Sequence, residues 1–301
     1  MQQDNQWLAD RFEEHRAHLR AVAYRMLGSL DEADDAVQDT WLRLTRNGAS
    51  DVGNLGGWLT TVTGRVCLNM LRTRRQRGEQ PFLARVPDPV LSPGEAMRPE
   101  DEALLADSVG LALQIVLDTL PPAERLAFVL HDMFDLPFPE IATVLDRTPA
   151  AARQLASRAR RRVKGASVPA PDPDLDRQRQ VVDAFFAAAR GGNFDALVAV
   201  LHPGVVLRMD AGAGRPASLV VNGAAGVARQ ALKGLASVLG RPAVALTPAL
   251  VNGAAGIIVT VDEQPVTAMG FTVTDGKIIE IDAIADRQRV RAITTTIYTG
   301  E

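Results

Sequence analysis

Apolar residues recur at helical spacing through the first part of the chain. Residues 5–77 contain three such stripes in succession. The first stripe ends at Gly28 and Ser29, and Asp31 is suited to cap the second helix. The third stripe follows a glycine-rich loop at 47–57. Three helices that share one apolar seam predict a small helical bundle.

A second helical block covers roughly residues 103–165. In it, a short predicted helix from Pro139 to Leu145 precedes a longer one, with Thr148 as cap and Pro149 at the first helical position. At about 100° per residue, the longer helix has an apolar face and an opposite face of basic and polar residues. A short helix, a turn and a longer helix predict a helix-turn-helix.

The last block, 177–301, changes from helical to strand-like patterning. A helix interrupted at Gly191 and Gly192 precedes several β-branched runs, and Asp275-Gly276 indicates a hairpin. This order predicts an α+β domain with a curved antiparallel sheet. Proline-rich stretches separate the blocks and predict linkers. The predicted fold is therefore multidomain, with two all-α domains followed by an α+β domain.

Composition limits the compartment and the chemistry. The chain has 33 basic and 36 acidic residues, which excludes a uniformly basic nucleic-acid coat. A single cysteine, Cys67, excludes a disulfide framework and fits a reducing compartment. We find no signal-peptide pattern and no apolar run long enough to span a membrane, so we expect a cytoplasmic protein. His15 and His18 are better explained as surface histidines than as metal ligands, and no cofactor is expected.

The longer helix of the second block is suited to read duplex DNA. In a helix-turn-helix, Arg153, Gln154 and Ser157 would stand at the base edges of the major groove. Arginine suits a guanine and glutamine an adenine. Basic side chains further along are suited to phosphate: Arg158, Arg160, Arg161, Arg162 and Lys164.

A second basic cluster lies at the end of the third helix. The arginines there lie on the same helix as a tryptophan and an asparagine, and this helix follows a glycine-rich loop. The cluster comprises Trp58, Asn69, Arg72, Arg74 and Arg75. An aromatic side chain can stack on an unpaired base, and arginines can contact the phosphate backbone of a single strand. The cluster therefore predicts a site for separated DNA strands. An equally good interpretation of Trp58 is that it packs in the core of the helical bundle.

The second helix carries the opposite charge. Asp35, Gln38, Asp39 and Arg43 recur at helical spacing and form what we call the polar stripe. Acidic residues in the first turn of a helix are explained by its dipole, but these lie beyond that turn. Because such a stripe repels DNA, we expect it to face a protein.

These segments together resemble the extracytoplasmic-function (ECF) group of the bacterial sigma-70 family. The core-polymerase-binding helix of that family resembles DEADDAVQDTWLRL. Its −10-recognising helix resembles GGWLTTVTGRVCLNMLRTRR, and its −35-recognising helix-turn-helix resembles LPPAERLAFVLHDMFDLPFPEIATVLDRTPAAARQLASRARRRV.

The resemblance implies an alternative sigma factor, which directs core RNA polymerase to specific promoters and is not an enzyme. It implies that the polar stripe binds the coiled coil of the large polymerase subunit. It further implies that the cluster of Trp58, Asn69, Arg72, Arg74 and Arg75, with the 47–57 loop, engages the melted −10 strand, and that Arg153, Gln154 and Ser157 face −35 DNA. The implied boundaries are 1–80 for region 2, 81–106 for a linker, 107–165 for region 4, 166–176 for a linker and 177–301 for the last domain.

The last domain resembles the SnoaL-like branch of the NTF2-like fold, a cone that encloses a pocket. The resemblance to sigma factors that carry this extension implies that the last domain modulates sigma-factor activity. Whether its pocket binds a small ligand is left open by the sequence. Family motifs that link the domains appear here only in altered form, around 85–89, 210–215 and 286–289. The candidate interdomain contacts are Pro87, Asp88, Pro89, Asp210 and Arg215.

Two other functions remain open on the sequence. A one-component regulator would bind duplex DNA through the helix-turn-helix alone and sense a ligand with the last domain. An enzyme of the SnoaL class would place an acid or base in the cone, for which His202, Arg208, Asp210 and Asp262 are candidates by residue type only. Cys67 is expected to be a partly buried helix residue rather than a redox sensor.

Overall fold

The computed structural model describes residues 2–47, 53–76, 86–93, 111–166, 171–212, 219–239 and 243–298. The chain divides into two compact units. The first unit comprises Met1–Phe82, Glu102–Asp107 and Leu113–Val168, and the second comprises Leu83–Asp101, Ser108–Ala112 and Pro169–Glu301.

The first unit begins with the predicted three-helix bundle, formed by α1 (Gln2–Leu27), α2 (Leu30–Asn47) and α3 (Leu55–Gln76). Between α1 and α2, Gly28 has a φ of +70° and donates its amide to the carbonyl of Tyr24. The prediction that Asp31 caps α2 is wrong, because α2 already begins at Leu30. Asp31 lies in the first turn, where its charge suits the helix dipole.

The first unit continues with α4 (Leu111–Thr119), whose first two residues belong to the second unit, and with α5 (Pro122–Phe128), α6 (Phe138–Leu145) and α7 (Pro149–Gly165). A single π-helical turn, Val129–Met133, extends α5. The predicted start of α7 is confirmed, since the side chain of Thr148 accepts a hydrogen bond from the amide of Ala151 and Pro149 follows it. Asp146 ends α6 in the left-handed conformation. Helices α6 and α7 form the predicted helix-turn-helix.

Among the residues that the structure describes, the second unit contains four helices and a sheet. The helices are α8 (Leu175–Arg190), α9 (Phe194–Val200), α10 (Ala224–Leu239) and α11 (Arg287–Tyr298). The strands are β1 (Leu91–Pro93), β2 (Leu201–Asp210), β3 (Leu219–Asn222), β4 (Val244–Val251), β5 (Ala254–Val261), β6 (Gln264–Thr274) and β7 (Lys277–Ile284). Their order in the sheet is β1-β4-β5-β6-β7-β2-β3.

The expectation of a purely antiparallel sheet needs one correction, because β2 and β7 are parallel neighbours. These strands are distant in sequence, and the chain between them includes α10, which gives the long connection that parallel pairing requires. The other neighbouring pairs are antiparallel. With this correction, the predicted α+β fold of the last domain is confirmed.

The sheet packs on its helices through an aromatic core. Phe185 and Phe186 of α8 meet Phe271 of β6 edge to face, with ring centroids 5.9 Å apart in each pair. Helix α11 packs against β6 and β1, and it buries Val290 and Ile293 outside this core cluster. The C-terminal helix is absent from the sequence prediction.

Part of the predicted 81–106 linker belongs to the sheet. Residues 86–92 are buried, and β1 pairs with β4 at one edge. The amide of Val90 donates to the side-chain oxygen of Asn252 at 2.7 Å, and the amide of Asn252 donates back to the carbonyl of Val90. Within the part of the chain that the structure describes, no helix is long and apolar enough to cross a membrane.

Candidate functional site

Helix α7 separates its two faces as the sequence predicts. Ala152, Ala156 and Ala159 are fully buried against the first unit. Six of the residues predicted for −35 DNA are exposed: Arg153, Gln154, Ser157, Arg158, Arg161 and Lys164. The other two arginines predicted to contact phosphate instead form ion pairs within the first unit, Arg160 with Asp132 and Arg162 with Glu124. The exposed set therefore forms one continuous cationic surface.

An aromatic residue that the sequence analysis missed positions Arg153. The guanidinium lies 5.2 Å from the ring centroid of Phe138, within the range of a cation–π contact. The ring of His131 packs on the same Phe138 ring, with 3.9 Å between the ring centroids, and its Nδ1 is hydrogen-bonded to the carbonyl of Leu136. The available signal was an aromatic at the first position of α6. Phe138 thus holds, from the preceding helix, the arginine that the sequence analysis predicts to face base edges.

The polar stripe lies on the outer face of α2. Asp35 and Gln38 are exposed, whereas Asp39 accepts hydrogen bonds from Nη2 and Nε of Arg43 at 2.9 and 3.2 Å. Leu42, on the same helix, is 42% exposed. Exposed acidic groups beside an exposed apolar side chain fit a protein-binding surface better than a DNA-binding one.

Four of the five predicted −10 residues lie on α3 with side chains that are exposed or half-buried. Trp58, Asn69 and Arg72 fall on one helical face at about 100° per residue, and Arg75 is exposed. Trp58 is half-buried near the start of α3, just after Asn54, whose side chain accepts from the amide of Gly57. Residues 48–52 of the predicted 47–57 loop lie outside the described residues.

Arg74 differs from the other members of this cluster. Its Nε donates to Glu32 at 3.1 Å, and its Nη1 donates to the carbonyl of Leu27 at 3.3 Å. The guanidinium therefore ties the end of α3 to α1 and α2. A cleft of about 370 Å³ between α2 and α3 is lined by Asp39, Asn69 and Arg74, so the two predicted sites adjoin each other.

Helix α3 also contacts the helix-turn-helix within the first unit. Nη2 of Arg65 donates to the carbonyl of Thr143 at 2.8 Å. A Cβ placed on Gly64 would lie 3.2 Å from the side chain of Leu130, so the helices approach closely at a glycine. The candidate −10 helix and the candidate −35 domain are packed together here.

In the second unit, one arginine holds the predicted linker. Nε of Arg289 donates to Asp88 at 2.9 Å, and Nη2 donates to the carbonyl of Val86 at 2.7 Å. Nη1 of the same side chain donates to Asp210. We call this group, Arg289 with Asp88, Asp210 and the Val86 carbonyl, the Arg289 clamp. It brings together two of the five candidate interdomain residues.

The remaining three candidate interdomain residues contribute less. Pro87 and Pro89 are buried on either side of Asp88, and proline restricts the backbone there. Arg215 lies outside the described residues. Arg289 itself is absent from the candidate set, although the altered family motif around 286–289 was the available signal.

The candidate catalytic residues do not converge. His202 is exposed, and its Nδ1 accepts from the amide of Gly204. Asp262 lies in the exposed turn between β5 and β6. Arg208 pairs with Glu280 and Asp282 at 3.2 Å each, and Asp210 belongs to the Arg289 clamp. Burial raises the pKa of Asp282 to about 7, opposed by Arg208 and assisted by Glu280.

The second unit encloses a cavity of about 500 Å³, which we call the cone cavity. Apolar side chains form most of its wall, and its polar members are Gln230, Thr267 and Arg287. None of the four candidate catalytic residues is among the described residues that line it. The described part of the wall contains no carboxylate and no imidazole.

Two further sequence expectations concern metal and thiol chemistry. Among the described residues, no three His, Cys, Asp or Glu side chains come together as a metal site. His18 contacts the hydroxyl of Thr60 at 3.2 Å and the ring of Phe134. Cys67 is fully buried, and burial raises the pKa of its thiol to about 12, so the thiolate is scarce at neutral pH.

Comparisons with known proteins agree on one family. The model for sigma-70 region 2 matches residues 11–77, and the model for sigma-70 region 4 matches residues 111–163. The chain is similar to a probable ECF RNA polymerase sigma factor, SigI, of Mycobacterium tuberculosis H37Rv, with 35% identity over 90% of each chain.

A second relative extends the similarity to a solved structure. The chain is 39% identical to the ECF RNA polymerase sigma factor SigJ of the same strain over 69% of this chain and 66% of that protein. The crystal structure of SigJ from M. tuberculosis matches with a TM-score of 0.73 and 34% identity, over 93% of this chain and 97% of that one. The similarity thus covers both units.

Proposed function

Because the chain belongs to the ECF RNA polymerase sigma factors, which are transcription initiation factors, we propose that α2 docks on core RNA polymerase while α3 and α7 engage promoter DNA. The observation that carries this assignment is the separation of exposed charge. The exposed face of α2 is acidic, whereas those of α3 and α7 are basic. A single chain then offers one surface to a protein and two to nucleic acid. This function places the protein in the cytoplasm.

On the polymerase side, Asp35 and Gln38 provide the exposed polar contacts, and Leu42 adds apolar area between them and the end of α2. Asp39 and Arg43 form an ion pair with each other in the unbound chain. We infer that this pair lies at the rim, where an exposed ion pair contributes less than about 1 kcal/mol. Asp35 is therefore the more informative residue.

On the DNA side, Arg153, Gln154 and Ser157 read −35 base edges, and Arg158, Arg161 and Lys164 hold phosphates. Trp58, Asn69, Arg72 and Arg75 engage the separated −10 strand by stacking and charge. We assign Arg74 a different role from the one predicted by sequence. Its bonds to Glu32 and the Leu27 carbonyl support a positioning function for the end of α3.

The packed first unit cannot serve both promoter elements at once. Elements centred near −10 and −35 are about 25 base pairs apart, or about 85 Å along B-DNA at about 3.4 Å per base pair. In the described chain, α3 and α6 are in direct contact through Arg65 and Thr143. We infer that the helix-turn-helix separates from α3 when the chain binds polymerase and promoter.

The second unit modulates this step by holding the linker that joins the two DNA-binding regions. The Arg289 clamp and the paired bonds between Val90 and Asn252 anchor residues 86–92 to the sheet. A linker fixed in its middle has fewer ways to extend than a free one. Among the described residues that line the cone cavity there is no carboxylate and no imidazole.

Run-off transcription with purified core polymerase tests the assignment directly. We expect the full chain to direct initiation at a specific promoter and to lose this activity when core polymerase is omitted. The Asp35→Arg variant should give less transcript at the same concentration of core polymerase. Arg289→Ala should change the transcript yield without changing the start site. Tight operator binding by the chain alone, with no start site selected by core polymerase, would instead identify a one-component regulator.

A further inference from the structure

The proposed function assigns no role to the cone cavity, which has the properties of a ligand site. Its volume of about 500 Å³ falls within the range of small-molecule pockets. Phe185, Phe186, Val259 and Met269 are among the side chains that form its wall. A wall of aromatic, aliphatic and thioether groups favours an apolar occupant.

The polar members of the wall limit the chemistry of that occupant further. Arg287 is the only charged residue among the described lining residues, and Gln230 and Thr267 add neutral groups. No ion pair joins Arg287 to another described residue. Because Arg287 is both exposed and part of the wall, it lies where the cavity meets solvent. An uncompensated guanidinium at the opening of an apolar cavity is complementary to an amphiphilic anion.

We propose that the cone cavity binds an apolar carboxylic acid of the fatty-acid class, with the hydrocarbon inside and the carboxylate paired to Arg287. The planar guanidinium matches a carboxylate with two parallel hydrogen bonds. The absence of Asp and Glu from the described wall leaves nothing there to repel the anion.

The position of Arg287 connects this site to the linker. Arg287 and Arg289 share the first turn of α11, and Asp286 caps that turn by accepting from the amides of Gln288 and Arg289 at 2.9 and 3.3 Å. Ala285, which also lines the cavity, donates its amide to the carbonyl of Asp210 at 2.7 Å. A bound acid therefore stabilises the same turn that carries the Arg289 clamp. This second step rests on the regulatory role proposed above.

Calorimetric titration of the full chain with dodecanoate tests the site. We expect saturation at one equivalent, and we expect dodecyltrimethylammonium, with the same tail and the opposite charge, to bind at least tenfold more weakly. Arg287→Ala should weaken dodecanoate binding about tenfold or more. Arg291→Ala, an exposed arginine of α11 outside the wall, is the matched control and should bind normally. Ala231→Phe, which fills the cavity, should remove binding of dodecanoate.

Three results would overturn the site: no saturable binding of dodecanoate, equal binding of the cationic amphiphile, or unchanged affinity in Arg287→Ala. Circular dichroism of each variant separates loss of binding from loss of fold. None of these measurements requires polymerase, so they stand apart from the transcription assay.

Hydrogen exchange then tests the connection to the linker. We expect dodecanoate to slow exchange of the amides in residues 86–92 severalfold in the wild-type chain and to have no such effect in Arg287→Ala. The amide of Val90 is the most direct reporter, because it is bonded to Asn252. If dodecanoate binds but exchange of these amides is unchanged, the proposed connection between cavity and clamp is wrong.

Discussion

At the scale of single residues, Asp35 gives the sharpest test of the polymerase-binding surface. Its carboxylate is exposed, and no ion pair joins it to another described residue. Asp35→Arg therefore reverses a charge without breaking an ion pair between described residues. We expect a severalfold loss of affinity for core polymerase, measured by direct binding. Asp195→Arg, the same exchange at an exposed position of α9, should bind normally, and equal affinities for both variants would contradict the assignment.

Arg153 gives the corresponding test for base recognition. Arg153→Ala should cost about 1–3 kcal/mol at one −35 position and relax the preference there, because the loss is that of a bidentate base contact. Competition binding with promoter variants measures this preference. Arg229→Ala, an exposed arginine of α10, is the control. A uniform loss on every promoter sequence would make Arg153 a phosphate contact instead.

Asp282 predicts a pH dependence of stability. Burial raises its pKa to about 7 in the folded chain, whereas an unfolded aspartate titrates near pH 4. The folded state therefore holds a proton that the unfolded state has lost between these values, and the free energy of unfolding falls as the pH rises from about 4 to about 7. For one group, the slope does not exceed about 1.4 kcal/mol per pH unit.

Asp282→Asn keeps this position neutral at every pH, so the variant should lack that part of the pH dependence. The measurement is urea unfolding at about pH 5 and at about pH 8, monitored through hydrogen exchange of the β7 amides. Parallel pH profiles of variant and wild type would show that Asp282 is ionised throughout, held by Arg208.

At the scale of elements, the sequence predicts well wherever the signals are local. Thr148 and Pro149 define the start of α7 within two residues, and the spacing of its alanines and arginines defines its two faces. The prediction succeeds because capping and helical periodicity depend on neighbours in sequence. The same holds for the hairpin at Asp275 and Gly276, where both residues have positive φ.

The missed elements depend on partners that are distant in sequence. Strand β4 contains Pro248, which weakens a strand pattern, although Asn252 and Gly253 with their positive φ values were an available hairpin signal. Strand β1 has three residues and exists only because β4 offers an edge. Its register and the Arg289 clamp join residues far apart in the chain, and no local pattern contains that information.

The same distinction holds for the candidate sites. The exposed face of α7 follows from periodicity, so the sequence identifies it. Arg74 has the same composition signal as Arg72 and Arg75, but Glu32, on a different helix, decides where its guanidinium points. Phe138 and Arg289 were missed because their roles arise from contacts across a turn and across the whole second unit.

At the scale of the whole molecule, the proposed function requires the first unit to open. The contact between Arg65 and Thr143 holds the candidate −10 helix against the helix-turn-helix, and two promoter elements about 85 Å apart cannot be reached from that arrangement. A thiol cross-link between positions 65 and 143 can hold the first unit in this closed arrangement. Arg65 and Thr143 are both exposed, whereas the native Cys67 is buried with a pKa raised to about 12, so it does not compete for thiol reagents.

We therefore predict that Arg65→Cys combined with Thr143→Cys, joined by a short bis-maleimide, loses promoter-specific run-off transcription at least tenfold. The unjoined double variant is the control and separates closure from loss of the Arg65 side chain. Binding of core polymerase through α2 should survive the cross-link, because the polar stripe lies on a helix that the bridge does not touch. Full transcription from the cross-linked chain would mean that the packed arrangement already serves both promoter elements, and the proposed opening would be wrong.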